Sequence, residues 1–121
     1  MRSGRVGGEY MKILIMDASE QIEIETRIVG VLKSIYDPEI PVNIYDLGLV
    51  YNIEVDDDHI AHILMTLTAP NCPMADQLIG EVKYKVMGTK GVKECDINLT
   101  FNPPWDKSML SDEAKLELGF L

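Results

Sequence analysis

Two cysteines, two histidines and a short acidic loop are the chemistry-bearing groups worth following in this chain. Cys72 sits in Thr68-Ala69-Pro70-Asn71-Cys72-Pro73-Met74-Ala75-Asp76, where an apolar strand pattern stops and a helical pattern starts at a proline. A thiol at a helix start lies beside unpaired backbone N–H groups and the positive end of the helix dipole. Both stabilise the thiolate, the nucleophilic and metal-binding form. The competing reading is a buried thiol that packs as a small hydrophobe. Cys95 falls under that second reading, because it alternates with Glu94 and Asp96 on the apolar side of a strand pattern, where burial keeps a thiol protonated and inert. His59 and His62, three residues apart on an expected strand, point to opposite faces and cannot close on one ion. They read as surface or packing residues.

The elements that position these groups follow from periodicity. Ile24, Ile28, Val31, Leu32 and Ile35 recur at helical spacing over 19–35, with Asp17 or Ser19 as cap and Glu20 behind Asp17 as in a capping box. Asp37-Pro38-Glu39-Ile40-Pro41 ends that helix, because proline lacks a donor and disfavours helical geometry in the residue before it. A rigid acidic loop results. Tyr51, Ile53 and Val55 alternate with polar neighbours, Asp56-Asp57-Asp58 turns the chain, and Ala61, Ile63, Met65 and Leu67 line one face, which predicts a hairpin.

A second helical stripe, Ala75, Leu78, Ile79, Val82 and Val86, runs to the glycines at 88–91, and Pro73 suits its first position. Cys95, Ile97, Leu99 and Phe101 make a one-sided strand. Asn102-Pro103-Pro104 breaks it, Trp105 reads as an anchor at the core edge, and 111–118 forms a short amphipathic helix closed by Gly119. Phe120 and Leu121 are expected to tuck back onto the core. The order α-β-β-α-β-α predicts an α+β two-layer sandwich, a small mixed sheet with its helices on one face. The strands on either side of the second helix are parallel if adjacent.

Composition narrows the function. At 121 residues and 46% hydrophobic content the chain suits one domain, assigned to 19–121, with 1–18 read as an N-terminal leader or arm, partly of cloning origin. A net charge of -9 argues against a nucleic-acid surface, which needs concentrated positive charge. Two cysteines make no disulfide framework, and no apolar run has membrane length, so the expectation is a cytoplasmic protein with no membrane partner.

The stretches Asp37-Pro38-Glu39-Ile40-Pro41-Val42-Asn43-Ile44-Tyr45-Asp46-Leu47-Gly48-Leu49-Val50, 65–75, Phe101-Asn102-Pro103-Pro104-Trp105 and the tail 105–120 together resemble the SufT and PaaD-like iron-sulfur cluster assembly factors, a metal-sulfur cluster biosynthesis domain. The resemblance spans about 24–121. It implies a maturation factor rather than an enzyme, working with the iron-sulfur assembly machinery and apo-client proteins. Cys72 matches the family's functional cysteine and is the implied ligand of a transient iron-sulfur cluster or iron. Asp37 and Glu39 match its acidic motif, and Thr68 its hydroxyl residue, as supports of that site; Ala69 stands where some relatives carry a second hydroxyl. One thiolate under-ligates a cluster, which commonly takes four ligands, so the cargo is expected at a junction within a homodimer or with a client. Three alternatives stand beside this: a client-recognition adaptor that never touches a cluster, an assembly factor for a multicomponent oxygenase, and a cysteine-nucleophile enzyme.

Overall fold

A computed structural model describes residues 16–69 and 75–120. Helix α1 spans Ala18–Leu32, strands β1 and β2 span Val50–Val55 and Ile60–Met65, helix α2 spans Ala75–Met87 and strand β3 spans Glu94–Leu99. A 3-10 turn at Lys107–Met109 and helix α3 at Asp112–Glu117 complete the chain. This is the expected α+β order.

Local chemistry sets the ends of these elements. The Asp17 carboxylate accepts the Ser19 and Glu20 backbone N–H groups, so the first orphan donors of α1 are satisfied by Asp17 rather than Ser19. The helix stops at Leu32, three residues before the apolar periodicity does. Ile35 is still fully buried, because a turn held by Ile35 N–H to Leu32 C=O carries it onto the core. Ser111 caps α3 through the Ala114 N–H, and Gly119 follows it at φ 82, a left-handed close that glycine adopts without strain.

The sheet order is β1-β2-β3, antiparallel between β1 and β2 and parallel between β2 and β3. β2 is therefore the central strand, and α2 is the crossover to β3. Both α1 and α2 pack on one sheet face, α1 on β1 and α2 on β3, and touch each other. Between the layers lie Ile24, Ile28 and Leu32 of α1, Leu78, Val82 and Val86 of α2, and Val55, Ala61, Ile63, Met65 and Cys95 of the sheet. Truncating one of these large aliphatic side chains to alanine costs about 2–5 kcal/mol in cores of this kind.

Two expectations fail at the margins. Leu99 is 42% exposed and Phe101 38% exposed, so the one-sided burial of β3 fades after Cys95 and Ile97. β3 is an edge strand, paired on one side only among the described residues. Phe120 is 53% exposed and does not tuck back; the Lys107 ammonium lies 5.5 Å from its ring centre instead. Leu121 and the segment 1–15 lie outside the described residues.

The open sheet face is crossed at one end by the chain after β3. The Tyr51 hydroxyl donates to the Pro103 carbonyl at 2.8 Å and touches Met109 Sδ at 3.6 Å. The Trp105 indole N–H donates to the Leu47 carbonyl at 2.7 Å, and the ring packs at the edge of the core. Trp105 is thus the expected anchor. The Asn102–Pro103 peptide is cis.

Candidate functional site

The acidic loop is built around one buried carboxylate. Asp37 follows the turn that ends α1, and its Oδ2 accepts the backbone N–H groups of Glu39 and Ile40, both at 2.9 Å. An aspartate that bonds its own backbone two and three residues on makes a turn without needing a glycine. Below it the chain is clamped by a Tyr36–Asn43 bridge, the Asp37 N–H bond to Val42 C=O and the Ile44 N–H bond to Ile35 C=O. Asp37 is 8% exposed, whereas Glu39 stands at the exposed tip. Asp37 therefore shapes the loop, and Glu39 is the carboxylate it presents.

This loop is set against the helix that Cys72 precedes. Tyr36 and Pro38 share a small depression of about 60 Å³ with Gln77, Leu78 and Glu81 from the first turns of α2. Cys72 itself lies outside the described residues, as do Pro70 and Pro73; the described chain stops at Ala69 and resumes at Ala75. Thr68 is half-buried, three residues beyond the end of β2. So the fold brings the acidic loop to the start of α2, and Thr68 belongs to the chain that leaves the central strand toward it.

Sequence reasoning passed over Thr66. It shares the strand parity of Leu64, which is exposed, yet Thr66 is fully buried and its Oγ1 makes no hydrogen bond. Its N–H donates to the Leu49 carbonyl at 2.8 Å, which ties the end of β2 to the residue before β1. A run of two hydroxyl residues, Thr66 and Thr68, around the buried Leu67 was the available signal. Tyr36, Gln77 and Glu81 were missed as well, since no local pattern links a loop to a helix forty residues on.

The remaining titratable groups sort clearly. Cys95 is 1% exposed, and burial pushes its thiol up to about 11, so it is a core residue as expected. His59 stands in the β1–β2 turn at φ 64 rather than on the strand, with Nε2 3.6 Å from Glu20. His62 lies on the open sheet face between two carboxylates, Nε2 2.8 Å from Asp56 and Nδ1 3.3 Å from Asp96. Hydrogen bonds to Asp56 and then Asp96 raise its affinity for a proton, and the His62 bond in turn lowers Asp56. The two carboxylates engage opposite ring nitrogens, so they do not converge on one point. Among the described residues no group of three or more His, Cys, Asp or Glu side chains could hold a metal ion, and no helix is long and apolar enough to cross a membrane.

Residues 25–99 match the family described as iron-sulfur cluster assembly protein. A Porphyromonas gingivalis protein named Fe-S protein maturation auxiliary factor is 56% identical over 103 residues, covering 85% of this chain and 98% of its own. The Bacillus subtilis Fe-S protein maturation auxiliary factor YitW is 40% identical, covering 79% and 94%. Among solved structures, a Bacillus anthracis domain of unknown function, DUF59, superposes with a TM-score of 0.80 at 38% identity, covering 87% of this chain and all of the other.

Proposed function

The chain belongs to the iron-sulfur cluster assembly protein family, and from that premise we propose that it is a maturation factor that carries iron-sulfur cargo on Cys72 to apo-client proteins. The SufT-like relatives named as maturation factors support the role. The observation that carries this reading is the depression that Tyr36 and Pro38 of the acidic loop share with Gln77, Leu78 and Glu81 of α2. It brings the acidic loop beside the first turns of the helix that Cys72 precedes, which supports reading the exposed Glu39 carboxylate as an oxygen donor to iron cargo, while Asp37, bonded to the Glu39 and Ile40 N–H groups, shapes the loop.

The donor set decides how the cargo is held. Iron-sulfur clusters take thiolates, commonly four, and this chain has two cysteines, of which Cys95 is buried and protonated. Cys72 supplies a single thiolate, so the cargo completes its ligation from a second subunit or the client and leaves readily. Among the described residues between β2 and Cys72, Thr68 and Thr66, whose hydroxyl is unpaired, are the ones with polar side chains. The protein acts in the cytoplasm with the assembly machinery and does not turn over a substrate.

Anaerobic purification of wild type and Cys72→Ala, with iron and sulfide counted before and after adding an apo-client, tests this. Wild type should carry and transfer cluster, and Cys72→Ala should do neither. A Cys72→Ala protein that matures the client normally would make the chain an adaptor instead, a reading the net charge of -9 favours as a docking feature.

A further inference from the structure

The sheet face away from the helices is uncovered by any described element except where 102–109 crosses its end. It is graded along the strands. Leu64, Val50, Tyr51, Pro103 and Met109 line an open depression of about 630 Å³. Leu64, 37% exposed, stands in a row with Asn52 on β1 and Asn98 on β3. One row further on, His62 stands between Glu54 and Asp96, and Asp56 closes on His62 from the turn. Successive rows on one face are about 7 Å apart. The face thus offers an apolar seat, an amide row and then three carboxylates around one histidine.

We propose that this open face docks an extended, basic segment of a partner protein, with one apolar side chain seated between Leu64, Tyr51, Pro103 and Met109 and lysine or arginine two to four residues on against Glu54, Asp56 and Asp96. Charge complementarity selects the occupant. In an extended segment alternate side chains share a face, so an apolar residue and basic residues at i+2 and i+4 fall on the seat and the carboxylate row together. A second copy of this chain is a poor fit, because two such faces would oppose their carboxylates. The depression is held open from both sides: the Tyr51 hydroxyl bond to Pro103 fixes one wall, and the Trp105 bond to Leu47 fixes the loop behind it. The surface lies on the opposite side of the sheet from the helices and goes beyond the maturation reading, since docking there requires nothing of Cys72.

The test uses full-length protein, amide NMR and a synthetic probe, Leu-Ser-Lys-Ser-Lys with blocked ends, beside counterparts carrying glutamate for lysine or serine for leucine. The lysine probe should shift the amides of Tyr51, Leu64, Asp96 and Asn98, and bind about tenfold more tightly than the glutamate probe at low salt. The serine probe should bind more weakly than the lysine probe. In a Leu64→Ser, Asp96→Asn variant, changed only at exposed positions, binding of the lysine probe should weaken several-fold and its margin over the glutamate probe should narrow. Equal binding of both charges, shifts confined elsewhere, no binding at millimolar probe, or self-association through this face would each overturn the proposal.

Discussion

His62 Nε2 lies 2.8 Å from Asp56 Oδ2, and the same carboxylate group, through Oδ1, accepts the Asp58 and Ile60 backbone N–H groups that form the β1–β2 turn. The pair therefore ties a titrating side chain to the turn that registers the hairpin. His62 holds its proton more tightly when folded, so its contribution is fully present below the unfolded value, about 6.5, and is lost as pH rises through the folded one. Asp56 has the opposite sense: its contribution is present above about 3.9 and is lost as pH falls through its lowered folded value. Wild type should exceed His62→Gln in melting temperature mainly between pH 4 and 6.5 or so, and the gap should shrink above the His62 midpoint. Both groups are more than a third exposed, so the gap is small. NMR titration of His62 should place its midpoint above the ordinary histidine value.

Cys95 should resist thiol reagents in the folded protein. With its thiol at about 11, roughly one molecule in a thousand is a thiolate at pH 8, and burial blocks access besides. In a Cys72→Ala protein, iodoacetamide followed by mass spectrometry should find no label until denaturant is added, and one label afterwards.

Thr66→Val should stabilise the fold. The side chains are nearly isosteric, and the substitution removes a buried hydroxyl that has no partner, a gain of about 1 kcal/mol. Denaturant unfolding measures it. If the hydroxyl serves the cargo route toward Cys72, client maturation should fall while stability rises, a split that packing alone does not produce.

Gly48→Ala should be strongly destabilising. Gly48 lies at φ 86, and a Cβ there would run into the Met109 carbonyl. Strain and overlap together should cost about 2 kcal/mol or more by chemical denaturation. The same change should disturb the depression lined by Gly48, Leu64 and Met109 without touching the acidic loop.

Much of this architecture is legible locally. The α1 cap at Asp17, the Asp37-Pro38 stop, the alternation of Ile53 with Val55 and of Ala61 through Met65, and the stripe from Ala75 to Val86 all depend on neighbours within a turn or two, and the structure follows them. Tyr51 departs from its expected face, joining Leu64 on the open one, because the β1 register shifts between Val50 and Asn52. The burial of Thr66 and the exposure of Leu99 and Phe101 do not, because they depend on which segment covers which end of the sheet. The bonds from Tyr51 to Pro103 and from Trp105 to Leu47 span more than fifty residues, beyond any periodicity. At the candidate site, Asp37 and Glu39 are legible as an acidic loop, but their division into a turn-builder and an exposed carboxylate needs the two backbone bonds to Asp37 Oδ2.

β2, paired on both sides, has a kinetic consequence. Its amides can exchange with solvent only when one of its two neighbours detaches, whereas the outer edge of β3 has no described partner to lose. The amides of 61–65 should thus be among the slowest to exchange, with protection near the global unfolding free energy. The chain that leads to Cys72 departs from this most protected strand. The residues that follow this strand, Thr66 to Ala69, are therefore rooted in the part of the sheet that opens last.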